Sequence, residues 1–377
     1  MTEELKCFRC LQCFLAGVAT FVVPLVVFSL VSEALWDLLP ADWFDTRTLS
    51  VLDPKGLDFG SFARDINGRM NFTVMSVAIW AASLVAILIA LFVVYRNLSA
   101  GAAFFVILIG IAVGCAVAYR ESSPDPTNCQ DPSTNVPPTV VVPQNTGFRF
   151  VVIDNVMCVA EIHRPAKMAV LQQAQAMIRR NSYLGFAGAG AVMAALAALA
   201  MRYGGAWSEV THLRRRLDDF RTLTLMAGIL FALNALVTKA LVSWTESLLT
   251  DEVASKFAPL GSALLEYWAV QASTVFFTTV ALAAIFIQWD IRDAAAESSA
   301  GQSNLALVAM SDEAQVTAVA SSAVETGADD GKRMTEATWM KSNELTFDTA
   351  TVVAATIGTI APLLAGPAVD LVTKALH

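Results

Sequence analysis

The chain has 377 residues, 56% of them hydrophobic and only 15% charged, with a mean hydropathy of +0.57. Soluble domains carry roughly 25% charged and ~45–50% apolar residues, so an ordinary soluble protein is excluded. A net charge of −8 also argues against nucleic acid as a partner, because phosphate binding needs a basic face. That charge is largely local: residues 290–348 hold eleven acidic and four basic side chains, a balance of −7.

A hydrocarbon core of ~30 Å takes ~20 apolar residues in a helix. The chain reads as an all-α integral membrane protein, a six-helix transmembrane bundle with outer loops between the spans. The first span is expected at about 14–35, with Pro24 as its one break. Lys6 and Arg9 precede it as in a signal peptide, but the apolar stretch exceeds the usual ~7–15 residues and no convincing cleavage site follows. It is read as a retained helix. Cys7, Cys10 and Cys13 have a spacing used by iron–sulfur and zinc sites, yet the fourth ligand is missing nearby. Free thiols, or acylated ones, are expected there, and no cofactor or metal is expected.

Residues 36–73 form an outer loop with Trp36, Trp43 and Phe44 suited to the membrane boundary. Spans at 74–95 and 100–119 follow, and Gly110 and Gly114 in the second of these make a G-x-x-x-G face for close helix packing. The outer loop 120–182 opens with a proline-rich linker and then offers β-like runs at 139–142, 148–153 and 157–162, read as a small β-hairpin. Cys129 and Cys158 share this loop, where an oxidising compartment would let them form a disulfide. Residues 166–180 look helical and extend the fourth span, 183–201, outward. That span carries Gly185, Gly188 and Gly190 ahead of an Ala-rich run, a second packing face.

Arg214, Arg215 and Arg216 precede the fifth span, 223–242, on a segment striped by Leu213, Leu217 and Phe220. Their arginines are candidates for contact with lipid headgroups, or for i,i+4 pairing with Asp218 and Asp219. With the charge-free run of the first span ending at Val31, Lys239 is the one charge inside a predicted apolar run. It can snorkel to the interface or pair with Glu246 or Glu266. Asn234 lies deeper and needs a hydrogen-bond partner. After the outer loop 243–266, the sixth span at 267–289 adds Gln271. Asn234, Lys239, Glu266 and Gln271 together are the candidate polar pathway. An acidic cytosolic linker, 290–348, leads to an apolar C-terminal segment, 349–377, in which 349–369 is a seventh span or a re-entrant segment.

Lys and Arg density favours a cytosolic N-terminus: eight in 38 residues of the expected inner segments against eleven in 125 of the outer loops. His163, His212 and His377 are scattered, and no P-loop, dinucleotide fingerprint, H-E-x-x-H or G-x-S-x-G occurs. The expectation is a non-enzymatic membrane protein acting through assembly, as a scaffold or a subunit of a membrane complex or pore. Its partners are the lipid bilayer and a second copy or other complex member. The alternative is a channel or transporter for ions or small solutes, and a membrane enzyme using His163 is a third class.

Overall fold

The computed structural model describes residues 3–37, 59–121, 170–201, 210–247, 261–262, 265, 269–296, 340–343 and 345. In hydrocarbon every backbone N–H and C=O must find a partner inside the protein, and a helix supplies one to each of its own groups. Long runs with few charged residues therefore become helices: α1 (Glu3–Asp37), α2 (Phe59–Asn97), α3 (Ala100–Glu121), α4 (Val170–Ala200) and α5 (Val210–Ser247), and α6 (Ala269–Ala296). All six are long and apolar enough to cross a membrane, and the chain is a multi-pass membrane protein of the all-α class. The predicted β-hairpin at 139–162 and the apolar segment 349–369 lie outside the described residues, as do Cys129, Cys158 and Glu266.

The helices run alternately up and down. Residues Leu98 and Ser99 turn the chain between α2 and α3, with the amide of Ala103 donating to the Ser99 carbonyl at 2.9 Å. This near end also gathers the C-terminal ends of α4 and α6 and the start of α5, because Arg216 reaches both Asp290 and the Leu199 carbonyl. At the far end the start of α2 meets the end of α5, where Trp244 donates to Asp65 at 2.9 Å.

Helix α4 is the axis of the bundle. Its spanning part is 67% buried, against 22% for those of α1 and α3, and it touches α1, α2, α3 and α5. Small side chains permit this. A Cβ on Gly110 would strike the Gly190 carbonyl, and one on Gly114 the Phe186 carbonyl, so α3 lies backbone to backbone on α4. On the other side a Cβ on Gly188 would sit 3.0 Å from the Ser83 Cβ of α2, and one on Gly185 would sit 3.5 Å from the Ile79 side chain. Small residues at helix crossings gain dispersion contacts where lipid offers no hydrophobic drive. The packing of Gly110, Gly114, Gly185 and Gly188 is thus within one chain.

Helix α2 shows how the two faces divide. Phe72, Ser76, Ile79, Ser83, Ala86 and Ala90 are buried, while Val74, Val77, Leu84, Leu88 and Phe92 form an exposed stripe on the other side. Phe104 and Phe105 of α3 are likewise 58% and 64% exposed. In water such contiguous apolar surface is untenable; against lipid chains it costs nothing. On α1 the inward positions are Ala16, Thr20 and Pro24, one turn apart each. The helix continues through Pro24.

Several helices outrun their predicted spans. Helix α2 begins at Phe59, inside the expected outer loop 36–73, and α5 begins at Val210, so that the helical arginine segment expected ahead of 223 is continuous with the span. Helix α6 continues to Ala296, so the first residues of the acidic linker are helical. The physical reason is common to all three. Hydrocarbon thickness sets the length of the uncharged stretch, but the helix continues wherever its next turns pack on a neighbour.

Candidate functional site

Three polar clusters and one cavity carry the chemistry of the bundle. The far-end cluster forms where α2 crosses α5. Gly68 lets the Trp244 backbone approach: a Cβ there would sit 2.9 Å from the Trp244 Cα. This closeness brings the indole N–H to Asp65, which is 2% exposed. Arg69, one turn on, stands 3.8 Å from the other carboxylate oxygen of Asp65, with its guanidinium 5.6 Å above the Trp244 ring. Phe72 closes the stack, 5.6 Å from the same ring. A carboxylate this buried is tolerated because a donor and a cation both face it.

The second cluster links α2 to α4. Trp80 donates its indole N–H to Asn181 at 2.6 Å, and the Asn181 amide donates to Ser76 at 2.9 Å. The amide therefore acts as a bridge between two positions of α2 one turn apart, its oxygen and nitrogen both engaged.

The near-end cluster is ionic. Arg96 pairs with Asp219, and Asn97 adds a bond to the same carboxylate at 3.1 Å. Arg216, only 1% exposed, pairs with Asp290 at 2.6 Å and donates to the Leu199 carbonyl in the last turn of α4, where carbonyls run out of partners within the helix. One guanidinium thus joins α4, α5 and α6.

Between these clusters lies a cavity of ≈ 200 Å³ with contributions from all six helices. Its walls are aliphatic and aromatic, among them Phe21, Val113, Phe186, Leu230 and Phe276, with polar contributions from Asn181, Ser182, Asn234, Thr238 and Thr279. None of its lining residues is titratable. It offers shape and hydrogen bonding but no acid, base or anionic nucleophile.

Of the predicted pathway residues, Asn234, Lys239 and Gln271 are described, and only Asn234 of these lines the cavity. Gln271 is fully buried away from its wall. Lys239 is exposed on the outside of α5 and makes no ion pair among the described residues, Glu246 included; Glu266 lies outside them. The threonines of α6 return to their own helix: Thr274, Thr278 and Thr279 donate to the carbonyls of Val270, Thr274 and Val275 at 2.7, 2.6 and 2.8 Å.

The arginine run corrects an expectation. Arg215 is exposed and free to face headgroups, and Arg214 is exposed but donates to the Asn343 carbonyl at 3.0 Å. Arg216 does not reach lipid at all. It follows Leu213 by three residues and precedes Phe220 by four, so it shares their buried face. The expected i,i+4 pairs are also replaced: Asp218 is held by Arg221 and Asp219 by Arg96. Sequence reading missed Asp65, Asn181 and Asp219 as buried groups. For Asp219 a signal existed, since it lies three residues after Arg216 and two after Leu217, at the edge of the same inward stripe. Comparison with protein-family models, with curated proteins and with solved structures finds no match to this chain, so its function is read from the bundle itself.

Proposed function

We propose that this chain is a non-enzymatic membrane protein that works through assembly, as a scaffold or subunit of a membrane complex or pore. One observation carries the reading. The buried charged side chains among the described residues, Asp65, Arg216 and Asp219, are all committed to contacts between helices. Charges used in catalysis or conduction face a cleft or a water-filled path; these hold a framework together. Crosslinking in native membranes followed by native electrophoresis tests the proposal. A discrete species larger than one chain supports it, and a strictly monomeric, partner-free protein overturns it.

In this reading the near end faces the cytosol of a cell membrane, in keeping with Arg96, Arg214, Arg215 and Arg221 clustered around it. Cys129 and Cys158 then lie in an outer loop and close a disulfide there. A shift in mobility on reduction, abolished by Cys129→Ser, checks that pairing.

A second reading, a channel or transporter for ions or small solutes, draws on Asn234 and Thr238 in the cavity wall. Solute flux into proteoliposomes should then fall with Asn234→Leu. Equal flux in the variant and the parent removes the cavity from any transport route.

A further inference from the structure

The cavity between the six helices joins two properties: walls that are apolar over most of their extent and a side-chain amide that bonds none of the described residues. Asn234 lines it, and among the described residues the amide makes no hydrogen bond; Thr238 donates to the Asn234 backbone carbonyl instead, at 2.9 Å. The other amide in the wall, Asn181, already bonds Trp80 and Ser76. An amide left unpaired in a medium without water loses the hydrogen bonds that water would have given it and gains nothing in return. Such a group in a cavity is a request for a ligand with one hydrogen-bonding atom.

Size and access agree. A protein cavity of roughly 150 Å³ lined by Leu, Ile and Phe stays dry and takes up benzene; this one is larger, at ≈ 200 Å³, and only partly enclosed. What surrounds the bundle at this depth is hydrocarbon, so the molecules able to enter are those dissolved in the membrane.

Depth then decides between kinds of lipid. Lys239 aside, the charges that bound the fifth span are Arg221 and Glu246, and Asn234 lies thirteen residues from one and twelve from the other, about 18–20 Å along a helix at ~1.5 Å per residue. With a hydrocarbon half-thickness of about 15 Å this is close to the bilayer centre. The ester carbonyls of a phospholipid stay at the hydrocarbon edge, tied there by the headgroup, so a phospholipid would present only methylenes to Asn234. A molecule without a charged headgroup can carry its hydroxyl or carbonyl to the centre.

We propose that the cavity is a binding site for a neutral membrane-dissolved lipid with a single hydroxyl or carbonyl, hydrogen-bonded to the Asn234 amide. The site does not depend on whether the chain acts alone or in an assembly.

The test uses the full chain in micelles with two photoreactive probes, a diazirine-bearing long-chain alcohol and a diazirine-bearing phosphatidylcholine. The alcohol should label cavity residues such as Phe186 and Leu230 saturably, with unlabelled alcohol competing. Asn234→Leu keeps the volume of the side chain and removes its hydrogen bonds, so half-saturation should rise about tenfold, the loss expected for one such bond. Its thermal unfolding should stay at or above that of the parent, which separates lost binding from lost folding. Thr238→Val serves as a second variant on the same wall and should leave half-saturation within about twofold, because its hydroxyl is already donated to the backbone. Label confined to the exposed faces of α1, α2 and α3 overturns the proposal. So does equal or better cavity labelling by the phosphatidylcholine probe, which would mark a phospholipid tail as the occupant, or an unchanged half-saturation in Asn234→Leu.

Discussion

Arg216 lies on one buried stripe with Leu213, Leu217 and Phe220, and its place on the helix, not its charge, sets its surroundings. Once α5 packs by that face, the guanidinium has to find acceptors inside, and it finds the Asp290 carboxylate and the Leu199 carbonyl. Removing one member of such a pair leaves the other desolvated, which costs about 3–5 kcal/mol, whereas apolar replacement of both is often close to neutral. Arg216→Ala should therefore destabilise the protein by about 3 kcal/mol. Arg215→Ala, at an exposed neighbour, should change stability by less than about 0.5 kcal/mol. Combining Arg216→Met with Asp290→Leu should restore most of the loss. Unfolding in micelles followed by tryptophan fluorescence reads all three, and equal effects of Arg215→Ala and Arg216→Ala would contradict the burial. Trp244 makes a parallel case at the far end. Trp244→Phe keeps a ring against Phe72 but withdraws the N–H from buried Asp65. The expected cost is about 1–3 kcal/mol by the same measurement, and a variant as stable as the parent would show that the indole N–H is not needed to satisfy the carboxylate.

At the scale of helices, the contact of α3 with α4 depends on the absence of side chains at Gly110, Gly114 and Gly190. The atoms a Cβ would meet there are backbone carbonyls, which cannot swing aside as a flexible side chain can. Gly114→Val should thus cost about 1–3 kcal/mol, toward the upper end of what overpacking does. Gly101, at the start of the same helix, has nothing within 4 Å. Gly101→Ala should be neutral or stabilising by up to about 1 kcal/mol, since alanine favours the helix. Limited proteolysis and thermal unfolding together distinguish a detached α3 from a merely softened one. The same helices show what could be read from the amino acids alone. Apolar runs of bilayer length marked all six spans, five of them free of charge and the fifth span broken only by Lys239, because length and lack of charge are what hydrocarbon selects. Their ends were hidden. Residues 59–73 hold Arg64, Asp65 and Arg69 and look like a polar loop, until Asp65, Gly68 and Phe72 are seen to share the face that meets Trp244. That face is defined only by its partner, 179 residues away in the chain.

For the whole molecule, the candidate site was legible in part. Asn234 stood out as a polar residue deep in a span, but the void beside it is what six helices of unequal side-chain volume leave between them, and no local pattern encodes that remainder. Orientation, by contrast, is expected from a count over the whole chain, the density of Lys and Arg in the predicted inner segments against the outer loops. Arginines 96, 214, 215 and 221 mark one end of the bundle, and positive charge is retained on the cytosolic side during insertion. The alternating helices then fix every other end once one is known. Asn67 is exposed near the start of α2 at the far end, and Arg215 is exposed near the start of α5 at the near end. In a cysteine-free parent, Asn67→Cys should react with a membrane-impermeant maleimide added to intact cells, and Arg215→Cys only after the membrane is permeabilised. Reversal of the two would invert the orientation while leaving the bundle as described. Reaction of both from one side would break the up-and-down arrangement itself, because the far-end contact of Asp65 with Trp244 and the near-end contact of Arg96 with Asp219 require those two positions to lie across the membrane from each other.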